Sequence, residues 1–241
     1  MTLPAENSLL TDFPLRHGSL CVNAATLARG APSNAVEVVV DRVSELAVAL
    51  LDVRGAQQRA AELAGSARVV VRDALRRRAP MYEIVSALRG LSASERPLSF
   101  GVVILRFSQP ESRVEILNAG MPAVACVLPD GEVSLHASLS SGIGERFGEV
   151  HPYELSPLGW GSSWLVLSDG LSRSQRSPDQ LRTLLHDFEL PQQAAELSRL
   201  PAAQLAAIVA SLDRHEPREA DMSLLVVNTD PAPRFRSGIQ A

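Results

Sequence analysis

Trp164-Leu165-Val166-Leu167-Ser168-Asp169-Gly170-Leu171 is the stretch on which the fold turns. Four apolar residues in succession read as a strand buried on both faces, because a strand with one wet face alternates instead. Ser-Asp-Gly then closes the run. It sets a carboxylate at the lip of a core, on a backbone free to turn sharply. Such a carboxylate is well placed to hold a metal ion. It is also an ordinary way to end a strand, and the rest of the chain decides between the two.

A strand buried on both faces needs layers above and below it, and the flanking sequence supplies them. Upstream, residues 1–17 have weak periodicity and read as a loose entry segment, and residues 18–29 can hold a strand. Val36–Val40 and Leu46–Leu51 read as a hairpin that delivers Asp52 to a strand end. Gly55 opens a long helix whose stripe is Ala60, Leu63, Ala64, Ala67, Val70, Val71, Ala74 and Leu75. Pro80 stops it and starts a second helix with Ile84, Val85, Leu88 and Leu91 on one side. Strand patterns follow at Leu98–Phe107, Val114–Asn118, Ala123–Leu128, Val133–His136, Glu149–Leu155 and Trp164–Ser168, separated by turn signals such as Pro129-Asp130-Gly131. Helical patterns return at 178–187, 191–199 and 201–213, before a last apolar strand, Met222–Val227. Strands grouped apart from helices indicate an α+β fold: an antiparallel β-sandwich flanked by helix layers. One domain is expected over 18–228, with 229–241 as a flexible tail.

Composition narrows the function. The 241 residues are 46% hydrophobic but only 4% aromatic, so the core is built from Leu, Val and Ala. The net charge of −4 argues against a protein that mainly grips nucleic acid. All 23 basic residues are Arg, which removes any chemistry that needs a lysine. Cys21 and Cys126 are too few for a disulfide framework and read as small buried hydrophobes. No secretory leader and no membrane-spanning run is visible, so a cytoplasmic protein is expected. The five histidines, at 17, 136, 151, 186 and 215, show no metal-ligand spacing.

Three acidic residues sit beside strand ends: Asp52, Asp169 and Asp221. Mg²⁺ and Mn²⁺ take carboxylate oxygens, and a pair of such ions can clamp a phosphate and activate a water. Five short motifs in order then resemble the metal-dependent PPM protein phosphatases, in their bacterial SpoIIE-like branch. They are Leu51-Asp52-Val53-Arg54-Gly55, Asn118-Ala119-Gly120-Met121-Pro122, Ser141-Gly142-Ile143-Gly144, Ser168-Asp169-Gly170-Leu171, and Ala220-Asp221-Met222-Ser223-Leu224-Leu225.

The resemblance implies a β-sandwich between helix layers and a protein serine/threonine phosphatase. Water activated by Mn²⁺ or Mg²⁺ would attack phosphoserine or phosphothreonine on a protein partner, such as an anti-sigma-factor antagonist. Asp52 and Asp169 would be metal ligands, and Gly55 would offer backbone at the metal edge. The family's first metal Asp falls here at Asn34 or Ala35, and the first Asp of its terminal pair is Ala220, leaving Asp221 in the second place. Lost carboxylates leave a site for one ion, or none, and raise the alternative of a catalytically weak or inactive relative that binds a signalling partner. Arg54 stands where the family has a small residue. It could bind a phosphate or neutralise Asp52, and the second is preferred.

Overall fold

The computed structural model describes residues 13–28, 34–41, 45–55, 57–94, 98–146, 149–168, 170, 178–187, 189–213 and 221–230. Two antiparallel sheets lie face to face. One, sheet B, is formed by β3 (Asn34–Asp41), β4 (Glu45–Arg54), β5 (Ser99–Ser108), β6 (Arg113–Ala119) and β9 (Tyr153–Pro157), in that order. The other, sheet A, runs β1 (Leu15–His17), β2 (Leu20–Leu27), β11 (Met222–Thr229), β10 (Ser163–Leu167), β7 (Val124–Val127), β8 (Val133–His136).

Period-two alternation builds three apolar layers from these strands. Leu46, Val48 and Leu50 of β4 meet Val22, Trp164, Val166, Leu225 and Val227 between the sheets. Ala47, Ala49, Leu51 and Val53 face the other way, onto α1 (Gln57–Arg76) and α2 (Met81–Ser94). Leu165, Leu167, Leu224 and Val226 face α3 (Pro178–Asp187), α4 (Leu190–Leu197) and α5 (Ala202–Asp213). The result is helices, sheet, sheet, helices, the four-layer arrangement expected from the sequence. Each fully buried Leu or Val contributes about 1.5–3 kcal/mol.

Trp164 is the largest side chain wholly enclosed between the sheets. Its ring meets Phe107 edge-on at 6.0 Å and stacks on His136 at 5.3 Å. His136 Nδ1 lies 2.8 Å from Glu154 Oε1, which ties β8 of one sheet to β9 of the other. The buried Asn23 side chain donates to the carbonyls of Leu197 and Leu200, both at 2.8 Å, where α4 ends.

Several boundaries move. Leu15–His17, inside the segment read as loose, pairs with β2 in the register Leu15↔Val22. At the other end β11 continues to Thr229, opposite Leu20, and the Asp230 amide donates to the Ser19 carbonyl at 2.6 Å. Asp230 also pairs with Arg16 and with Arg199. Paired strands therefore run past both 18 and 228: β1 adds an edge strand beside β2, and β11 lengthens inside the sheet opposite β2. Residues 231–241 lie outside the described residues. The strand expected from Glu149 begins at Tyr153 instead. Pro152 has no N–H to give a ladder, and the Glu149 carboxylate is committed to Ser141. Val70 lies off the buried stripe of α1 and is only half-covered. Cys21 and Cys126 are buried free thiols, and burial pushes Cys126 up to about 11.

Candidate active site

Asp52 lies near the C-terminal end of β4, directly opposite Asn34 on β3 and Gly101 on β5. Leu46, Val48 and Leu50 alternate toward the other sheet, so Asp52 and Arg54 continue that face beyond the last filled core position. The same parity holds in sheet A. Trp164 and Val166 point between the sheets and Ser168 follows; Leu225 and Val227 do so too, with Ser223 and Asp221 before them.

Strand register shows that these positions share one end of the sandwich. β6 pairs Ala119 with Val102, the neighbour of Gly101. β7 pairs Ala125 with Leu165, which brings its first residues level with the end of β10. The turn Asn118–Pro122 joins these two ends, and from Ala119 to Val124 the chain spans at most about 18 Å. Asp52 and the strand that runs into Asp169 are therefore held at a common rim.

Asn118 shapes that turn. Its amide donates to the Pro122 carbonyl at 2.8 Å and accepts from the Met121 amide at 3.3 Å. Gly120 has φ +67, and a Cβ there would come within 2.4 Å of the Gly142 nitrogen. The two glycine-bearing loops thus touch backbone to backbone. Met121 is buried against the sandwich core.

Ser168 is spent on structure. Its hydroxyl accepts from the Ser223 amide at 2.8 Å and donates to the Asp221 carbonyl at 3.3 Å. It clamps the ends of β10 and β11 together and is no nucleophile. Asp221 is buried, and its backbone lies beside the last residue before Asp169. Asp169 itself and Ala220 lie outside the described residues. Gly55 sits exposed just past β4, with Leu98 packed against the space a side chain would need.

Arg54 is held by two acceptors across the rim. Nη1 donates to Glu145 Oε1 at 2.5 Å, and Nη2 donates to the Gly120 carbonyl. A Cβ on Gly101 would lie 2.9 Å from Nη2, so the guanidinium rests over the residue paired with Asp52. Both partners come from loops far from Arg54 in sequence, at residues 120 and 145.

Residues 138–146 and 149–151 complete the rim. Ser141 donates to Glu149 through both its amide, at 3.0 Å, and its hydroxyl. Those bonds hold the Glu149 carboxyl below the usual range. Ser140 meets His151 Nδ1 at 2.8 Å, and Arg89 donates to the Glu149 carbonyl at 2.5 Å. Burial, then the Arg89 charge, pushes His151 below its ordinary value. Glu145, Glu149 and His151 were not singled out from sequence. Their partners lie across loops, with no periodic or motif signal to reveal them.

The donor set decides how many dications could be held. The residue in register with Asp52 on β3 is Asn34, not an acid, and residue 220 is Ala. Among the described residues, no three His, Cys, Asp or Glu side chains gather as ligands. Asp52 offers one described carboxylate at this end of β4.

A rim of this kind on a four-layer sandwich defines a PP2C-type phosphatase fold. The family model for stage II sporulation protein E (SpoIIE) matches residues 43–230, and the chain belongs to that family. Among solved structures, it is similar to the RsbU and RsbW domains of a Mycobacterium tuberculosis protein, with 18% identity and a TM-score of 0.69 over 89% of this chain and 61% of that one. It is similar to RsbX in complex with magnesium, with 14% identity and a TM-score of 0.66 over 90% of this chain and 98% of that one. It also resembles the PP2C phosphatase domain with a regulatory fragment of SpoIIE from Bacillus subtilis, with 15% identity and a TM-score of 0.66 over 88% of this chain and 64% of that one. The chain thus spans under two thirds of the first and third of these. No curated protein sequence matches it. No helix among the described residues is long and apolar enough to cross a membrane.

Proposed function

We propose that this chain is a SpoIIE-type protein serine/threonine phosphatase domain. It would hydrolyse phosphoserine or phosphothreonine on a cytoplasmic signalling regulator of the anti-sigma-factor-antagonist kind. The observation that carries the proposal is the common rim: Asp52 stands at the same end of the sandwich as the strand that runs into Asp169. Asp52 and Asp169 would hold one Mg²⁺ or Mn²⁺, with the Gly55 backbone beside it. A bound dication polarises phosphoryl oxygens and makes water nucleophilic near neutral pH. The chain's own residues form the rim, fix the Asn118–Pro122 turn and keep residues 138–146 and 149–151 against it.

Asn34 opposite Asp52, together with Ala220, favours a second reading, a regulatory protein-binding module without hydrolysis. One experiment separates the two. Purified protein is assayed with Mn²⁺ on p-nitrophenyl phosphate and on a phosphorylated regulator peptide. The enzyme requires turnover that falls at least about 100-fold in Asp52→Asn and Asp169→Asn, roughly 2.7 kcal/mol of barrier. A silent wild type that gains activity in Ala220→Asp would leave the second reading standing.

A further inference from the structure

We propose that Arg54 is an oxyanion-binding residue of this rim and that Glu145 is its resident competitor, a carboxylate occupying the place a phosphoryl group would take. This rests on the reading of the rim as a site for phosphorylated proteins, whether or not hydrolysis follows.

Three observations converge. The guanidinium lies over Gly101, the residue paired with Asp52, so it is beside the candidate reaction centre. It is fixed by the Gly120 carbonyl, an anchor belonging to the turn that joins the two sheets. Its other arm already receives an oxyanion, the Glu145 carboxylate at 2.5 Å, with both side chains about one-third exposed (30% and 33%). A planar guanidinium presents five donors and binds carboxylate and phosphate with the same fork geometry. The contact with Glu145 shows that this guanidinium takes a carboxylate while staying about one-third exposed.

Glu145 is suited to yield. It sits on the short glycine-bearing loop, its carboxylate folded back so that a Cβ on Gly142 would lie 2.6 Å from Oε1. A partly exposed ion pair of this kind is worth little, so a doubly charged phosphoryl group competes well against a single carboxylate. Displacement breaks the contact between Nη1 and Glu145 and forms one between Nη1 and a phosphoryl oxygen, while Nη2 stays on Gly120. Phosphoryl recognition thus falls to a side chain of this chain and does not depend on a full pair of metal ions.

The test is phosphate binding in EDTA, so that no metal carries the anion. Inorganic phosphate and a phosphoserine peptide are titrated calorimetrically into the full chain. Glu145→Gln should tighten both about twofold to fivefold, the scale of one partly exposed ion pair. Arg54→Ala should weaken both about tenfold or more, and Arg54→Lys should fall between, because an ammonium lacks the fork. Tightening of the peptide but not of free phosphate in Glu145→Gln would count against the proposal, since the competition is for the phosphoryl group itself. Equal binding by wild type and Glu145→Gln, or undiminished binding by a folded Arg54→Lys, overturns it. Phosphate binding that follows this pattern in a protein without turnover would remove the enzyme and keep Arg54. Turnover in wild type with binding indifferent to Arg54 would do the reverse.

Discussion

Sheets B and A reach the same rim by opposite routes. Sheet B is local: β3, β4, β5 and β6 follow one another in sequence and in space, and only β9 joins late. Sheet A is assembled from the two ends and the middle of the chain, with β11 placed between β2 and β10. Asp52 and Arg54 therefore arrive on a hairpin that sequence alone suggests. The strand leading to Asp169 takes its position only when distant segments pair. That strand depends on contacts between distant segments, which cost loop entropy to bring together.

This contrast can be broken most directly at the layer both sheets share. Trp164→Ala empties the largest side chain between them and strips Phe107 and His136 of their ring contacts. It should lower stability by about 3–5 kcal/mol in urea unfolding. A loss near 1 kcal/mol would mean that the sheets are less interdependent than their packing shows.

A sharper probe is the turn that joins them. Asn118→Ala removes a donor to Pro122 and an acceptor for Met121 in a buried setting. A cost of about 1–3 kcal/mol is expected, measured the same way. Turnover should fall with it if the turn aligns the rim, whereas a change in stability alone would confine Asn118 to the fold.

The smallest effect concerns residues 138–146 and 149–151. His151 is held below its ordinary value of 6.5, chiefly by burial. Its folded form favours the neutral ring, so this stability is complete above that value and is lost as pH falls through the lowered folded pKa. Glu149 is also held down, by Ser141, from an ordinary value of 4.5. Its share is present above 4.5 and disappears as pH falls below it. Melting temperature should therefore drop in two stages on acidification. His151→Gln should flatten the upper stage with little change in the neutral baseline, whereas Glu149→Gln should flatten the lower stage and lower the neutral baseline, because it removes the carboxylate that Ser141 stabilises.

How much of this was visible beforehand follows from the range of each interaction. The helix stripe of α1 was readable because Ala60, Leu63, Ala64 and Ala67 recur at helical spacing and are buried as that spacing demands. Asp52 was readable for a similar reason: an apolar run ends in a carboxylate and a glycine follows shortly after. Glu145, Glu149 and His151 were not, since each matters through a partner brought to it by loop geometry. Arg54 lies between these cases. Its position was plain, but its acceptors come from residues 120 and 145.

By itself the sequence determined the elements, their alternating faces and the five ordered motifs of a SpoIIE-family chain. It also placed Asn34 or Ala35, and Ala220, where the resemblance would put acidic residues. Only tertiary structure decided that Asn34 is in register with Asp52, that residues 15–17 and Thr229 pair into sheet A, and that Arg54 is paired with Glu145. The reason is physical. Periodicity and turn chemistry act over a few residues and are written locally. Register, sheet order and the choice of an ionic partner are set by which distant surfaces pack, and no short window of sequence contains both sides of that contact.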